Sequence, residues 1–195
     1  MLSAVAKLVE RYRFEKHPSL DDLLSDKQVF HLGMFNDEQI DSFEIYTDGV
    51  VVKSRCNSKV LEAFLDDLDV WLEADLGFNK IETHAAGKAF VSDIIVEMDP
   101  VVFAALEQYQ LVTADIGRNI QHLWRRDIPR FTSAGIMFAV DDTLVPGMKP
   151  MPFRLERKLG TGFEKNLFFS SAPLTTDLHF EVLDNLEERM IDMRK

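Results

Sequence analysis

The sequence predicts an α+β fold: an antiparallel or mixed sheet of six to eight strands, with helices packed mainly on one face. Three observations lead to it. Phe43 and Ile45 precede Asp48-Gly49 and then the β-branched run Val50, Val51, Val52. These are strand formers around a dipeptide that tolerates the positive φ of a tight turn, which predicts a hairpin. Next, Val60, Leu61, Phe64, Leu65, Leu68, Trp71 and Leu72 recur at helical spacing. That apolar stripe needs a sheet to cover. The plan of hairpin then acidic helix returns at 151–193. It reads as an internal pseudo-repeat or, in preference, as the common way an antiparallel sheet is covered.

In chain order, Leu2, Val5, Leu8, Val9 and Tyr12 predict an amphipathic helix over 2–14 that Pro18 stops. Ser19 to Asp22 resembles a capping box and predicts a short helix carrying Leu20, Leu23 and Leu24. Leu32 to Asp41 reads as a loop or a single turn. Asn57 or Ser58 caps the helix after the hairpin, and Gly77 ends it.

A second strand pair, 81–86 and 88–98, flanks Gly87, with Phe90, Ile94, Val96 and Met98 facing one way. Asp99-Pro100 is a helix start. The helix from Pro100 to about Trp124 is the most apolar and is expected to be central. Its face is Val102, Ala105, Leu106, Tyr109, Val112, Ile116, Ile120 and Leu123, and Gly117 marks a bend. Arg125, Arg126 and Arg130 follow, suited to the negative end of a helix dipole or to an anion.

Phe131 to Val140 reads as an interior strand, apolar on both faces. Asp141 to Pro150 is a loop. Strands at 153–158 and 163–170 surround Gly160-Thr-Gly162, and Pro173 ends the second. The last helix, about Thr176 to Met193, carries Leu178, Val182, Leu183, Leu186, Met190 and Met193 on its apolar side.

At 195 residues the chain predicts one domain, 1–195, with 1–32 as a candidate helical extension and a weak internal boundary near 141–150. A 46% apolar fraction with 15 Phe suffices for a sizeable core. No run of eighteen apolar residues occurs, so no membrane span or membrane partner is expected. Lys7 and Glu10 interrupt the N-terminal segment, which rules against a secretory signal. The lone Cys56 leaves no internal disulfide and no cysteine zinc site. A cytoplasmic or virion-interior setting fits, as does a phage or mobile-element origin. The net charge of −11 argues against direct nucleic-acid binding, which depends on neutralising phosphates.

Signatures of chemistry are few. No Gly-rich phosphate loop, His-Glu-x-x-His or Gly-x-Ser-x-Gly is present, and no cofactor or metal is expected. His17, His31, His84, His122 and His179 lack a ligand partner at helical spacing, although His179 lies near Asp177 and Glu181. Cys56, beside Arg55 and a helix start, is an activated thiol or, in preference, a half-buried strand-end residue.

The first reading of function is therefore a non-enzymatic interaction or structural component, self-associating or held in a larger assembly. Its partner-binding residues are the carboxylates of the two acidic helices: Glu62, Asp66, Asp69 and Glu73, then Glu181, Asp184 and Glu188. A second reading uses the same faces as a nucleic-acid mimic that inhibits a DNA-binding protein. A third starts from Asp141, Asp142, Glu156 and Lys158, an acidic strand end followed by Glu-x-Lys. Alternate residues share a strand face, so the carboxylates could hold Mg²⁺ and the lysine steer a water. This layout resembles the PD-(D/E)xK nuclease superfamily over 141–158, with Val140 in place of the naming proline. The resemblance implies a metal-dependent nuclease. The plainer alternative is an antiparallel strand with Arg154, Glu156 and Lys158 outward and Phe153 and Leu155 inward.

Overall fold

The computed structural model describes residues 2–19, 22, 25–77, 87–102 and 109–192. Among them the fold is α+β, with seven strands in two antiparallel sheets of three and four. The strand number falls within the expected range, but the strands form two sheets where one was expected. The chain divides into two compact units, 1–88 and 89–195, so the loop 141–150 lies inside the second.

The first unit contains α1 (Leu2–Tyr12), β1 (Lys27–Phe35), β2 (Glu38–Tyr46), β3 (Val50–Lys53) and α2 (Ser58–Leu76). Its sheet runs in sequence order, β1-β2-β3. The predicted hairpin is β2–β3, with Phe43 opposite Val52 and Ile45 opposite Val50. The Asn57 side chain accepts from Lys59 N at the start of α2, and Gly77, at φ 66, closes its end. A left-handed residue costs glycine little, because it has no Cβ to clash.

The segment 32–41 is not a loop. It completes β1 and begins β2, joined by a two-residue turn in which Asn36 and Asp37 both take positive φ. Asn and Asp tolerate that conformation, so the pair serves where Asn-Gly would be the usual signal. Leu32 also has positive φ, at 56. The in–out alternation of β1 breaks there, and both Phe30 and Gly33 are buried. A Cβ on Gly33 would come within 2.4 Å of the Phe14 ring, so this position has no room for one.

Within the first 32 residues, four described side chains belong to this unit's buried core. Leu8, Tyr12 and Phe14 join Phe30, Ile40, Phe43, Phe64, Leu68 and Trp71 in one buried cluster. α1 ends at Tyr12, with Arg13 left-handed, well before Pro18. The expected capping box is present: Ser19 N and Oγ both donate to Asp22, and Asp22 N donates back. Leu20, Leu23 and Leu24 lie outside the described residues.

Tyr12 sits edge-on to Phe64 at 4.8 Å, and its hydroxyl donates to Asp67 at 2.7 Å. Arg11 forks onto the same carboxylate through Nη2 at 2.8 Å and Nε at 3.2 Å, and lies over the Trp71 ring. α1 is thereby fastened to α2 by a bidentate charged contact beside an aromatic cluster. Burial, and then the carboxylate it donates to, hold the Tyr12 phenol well above its usual range.

The second unit contains β4 (Ser92–Glu97), α3 (Gln110–Trp124), β5 (Gly135–Phe138), β6 (Phe153–Arg157), β7 (Leu167–Ala172) and α4 (Thr176–Asp192). The order is β4-β7-β6-β5. β4 buries Ile94 on the predicted side, but its partner is β7, with Ile94 opposite Ser170. The expected partner, 81–86, lies outside the described residues. Asp99 caps a short turn by accepting from Val101 N. The core gathers Met98, Val102, Leu155, Phe168 and Leu183.

Two expectations are corrected here. β5 is an edge strand and not an interior one, with Met137 and Phe138 exposed. Of the face expected over 100–124, Val102 is buried in the core and Ala105 and Leu106 lie outside the described residues, but α3 itself is not central: none of its residues is buried, and Leu111 and Leu123 are 82% and 73% exposed. Helical spacing establishes that an apolar side exists, not that the same unit covers it. Gly117 lies inside the unbroken helix.

Replacing Asp67 by Ala removes the acceptor of Tyr12 and the partner of Arg11. The expected loss is about 2 kcal/mol, from one stranded hydroxyl and a partly exposed ion pair. Urea denaturation followed by the fluorescence of Trp71 measures it. Adding Tyr12→Phe should recover part of the loss, because the hydroxyl is no longer stranded.

Candidate functional site

The carboxylates expected to bind a partner do not all face outward. On α2, Asp66 and Glu73 are exposed and Glu62 is half-buried. Asp69 is buried, at 8% exposure. It lies on the shoulder of the apolar stripe, four residues from Leu65, so helix geometry turns it toward the core. Asp67 is engaged by Arg11 and Tyr12. On α4, Glu181, Asp184 and Glu188 are exposed as expected. Leu178 and Val182, expected on the buried stripe, are exposed, while His179 and Leu183 are buried.

The nuclease-like set is spread along the β5–β6 ladder. Glu156 pairs with Gly135, whereas Phe153 pairs with Phe138 at the other end. Asp141 and Asp142 follow Phe138 in the chain, past the end of the pairing opposite to Glu156. Asp141 is occupied as a turn cap: it accepts from Thr143 N at 2.9 Å and Thr143 Oγ1 at 2.6 Å. Those bonds, the hydroxyl's first, lower its pKa. Along β6, Leu155 is fully buried while Arg154 and Glu156 are exposed. Among the described residues, no group of three or more His, Cys, Asp or Glu could hold a metal ion. Arg55, proposed to assist Cys56, has its guanidinium 3.8 Å from Asp41.

Two buried polar centres were not foreseen. In the first unit Glu44 is 5% exposed. Lys27 Nζ reaches it at 2.8 Å, Lys53 Nζ at 2.7 Å and the Tyr46 hydroxyl at 2.6 Å. Lys27 pairs with Tyr46 and Lys53 with Ser42, so the register sets both lysines diagonal to Glu44 on one face. Lys27, then Lys53 and Tyr46, hold the carboxyl down to about 2. Only the Lys53 half could be read from the predicted hairpin; β1 was missing from it.

In the second unit His179 of α4 is fully buried against β4 and β7. Its Nδ1 lies 2.7 Å from Ser92 Oγ and its Nε2 2.7 Å from Ser170 Oγ. Ser170 donates onward to the Arg154 carbonyl at 2.9 Å. Its hydroxyl proton is thus committed, so Nε2 must donate to Ser170. Nδ1 then accepts from Ser92. The ring is a neutral tautomer locked by three strands and a helix. Burial lowers its pKa, and Asp93 offsets this in part. A ring with both nitrogens bonded and no exposed surface ties elements together; it offers nothing to a substrate.

Both centres make stability depend on pH. Glu44 has a lowered folded pKa, so its contribution is full above about 4.5 and is lost as pH falls toward 2. Glu44→Gln should flatten that acid limb in urea titrations read through Trp71. His179 is a base held neutral. Below its ordinary 6.5 the unfolded chain takes up a proton that the folded chain refuses, so stability falls as pH drops from there. His179→Gln should remove that slope between pH 7.5 and 5.5, as followed by circular dichroism.

No described helix is long and apolar enough to cross a membrane. Comparison with protein-family models, with curated proteins and with solved structures finds no match for this chain.

Proposed function

We propose that this protein works through protein–protein contact, as a non-enzymatic component of a homo-oligomer or larger protein assembly. The observation that carries this reading is α3. It is an amphipathic helix with no buried residue, and Leu111, Val112, Leu123 and Trp124 are more than half exposed. An isolated fifteen-residue helix is marginal in water, and most helical stability comes from packing an apolar face. Exposed apolar surface of this extent marks interaction sites. The polar features support the same reading: Glu44, Asp67 and His179 are each consumed by neighbours, which leaves them structural work.

Size-exclusion chromatography with light scattering over a range of concentrations tests the proposal. The expected result is a mass at a multiple of 22.4 kDa, or a defined partner retained through purification. A species of 22.4 kDa at every concentration that retains nothing would sink it.

A further inference from the structure

We infer that two copies of this chain associate by pairing their β5 edges antiparallel, joining two four-stranded sheets into one of eight. The inference rests on the interaction reading above; it names a second copy as the partner and assigns self-association to the β5 edge rather than to α3.

The open row of the edge can be read from the ladder. Arg157 N donates to the Ala134 carbonyl at 2.7 Å, so 134 and 157 form a hydrogen-bonded pair. Bonded and non-bonded pairs alternate along an antiparallel ladder. Ile136 and Phe138 therefore turn their N–H and C=O toward β6. Gly135 and Met137 turn theirs to the open side. Among the described residues, no backbone partner takes up that row.

Natural proteins guard such edges with charge, proline or a covering segment. The sheet's other edge follows that practice, because β4 carries exposed Asp93 and Glu97. Two copies meeting there would set carboxylates against carboxylates. Among the described residues β5 has no such guard: Phe131 to Val140 contains no charged residue and no proline, in a chain that is 28% charged with a net charge of −11. A neutral edge is where two such acidic copies can approach at least electrostatic cost. The edge is also self-complementary. Antiparallel pairing about a two-fold axis brings Met137 and Phe138, 61% and 59% exposed, toward the same residues of the second copy. Beside the edge lies an apolar groove of about 280 Å³ lined by Phe138, Phe153, Pro173, Leu174, Val182 and Leu186. An added strand would run past carbon rather than water. β5 has four residues, so a concentration-dependent dimer is expected rather than a permanent one.

Amide hydrogen exchange by NMR, at low and high protein concentration, tests the pairing on the full chain. Gly135 and Met137 amides should become protected as the dimer forms, while those of Ile136 and Phe138 are protected throughout. Met137→Pro deletes an outward donor and leaves the β6 bonds in place. It should abolish the dimer over the range where the unaltered chain forms it, with circular dichroism unchanged. If that variant fails to fold, Met137→Lys keeps the amide and sets like charges across the two-fold axis, with the same expected loss. Association that persists in a folded variant, without protection at Gly135 and Met137, overturns this inference but leaves the interaction reading standing. A chain that is monomeric throughout yet holds a different partner does the same. Absence of both self-association and a partner removes both.

Discussion

Phe64, Leu68 and Trp71 must leave water together, because a helix puts them on one side. Only the aromatic face of β1 and β2, closed by Leu8 and Tyr12 of α1, takes them in. The rest of the first unit follows from that requirement. At about 25 cal/mol per Å² of apolar surface, burying three large side chains outweighs any surface ion pair on α2. The same requirement places Leu183 of α4 against Leu155 and Phe168 in the second unit. α3 is the described helix to which it does not apply within its own unit. Its apolar side joins neither buried cluster.

Polar groups caught in this burial are resolved locally. Asp67 receives three donors from α1. Glu44 is neutralised by two lysines and a phenol. His179 is held neutral by burial, with a hydroxyl bonded to each nitrogen. Leaving any of these groups unpaired would cost more than a typical hydrogen bond yields, so each satisfied centre also selects one arrangement of its strands and helices. That is why titratable groups that might suggest catalysis here read as fasteners.

Local features were legible where one chemical signal sufficed. Asp48-Gly49 marked the connection of the β2–β3 hairpin, although neither residue takes the positive φ expected of it, Asn57 and Gly77 marked the ends of α2, and Pro173 marked the end of β7. The hairpin at 36–37 was missed because its turn is built from Asn and Asp, and because Leu32 breaks the alternation that identifies a strand. The candidate sites were less legible. Asp69 differs from Asp66 only by its angle around the helix axis, which turns it inward. His179 was grouped with its acidic neighbours along the chain, whereas its hydroxyl partners come from two strands 87 and 9 residues away. Asp141 is taken up by Thr143 as a turn cap, a local role that its place before Glu-x-Lys did not suggest.

The sequence by itself determined the α+β class, the boundaries of α2 and α4, and which helix sides are apolar. Those depend on periodicity and capping, which act over a few residues. Only the tertiary structure decided that the strands divide into two sheets, that β7 is interior and β5 lies at an edge among the described strands, and that no residue of α3 is buried. Strand order and coverage depend on pairings between distant segments, such as β4 with β7, and burial is a property of what arrives opposite a residue rather than of the residue itself.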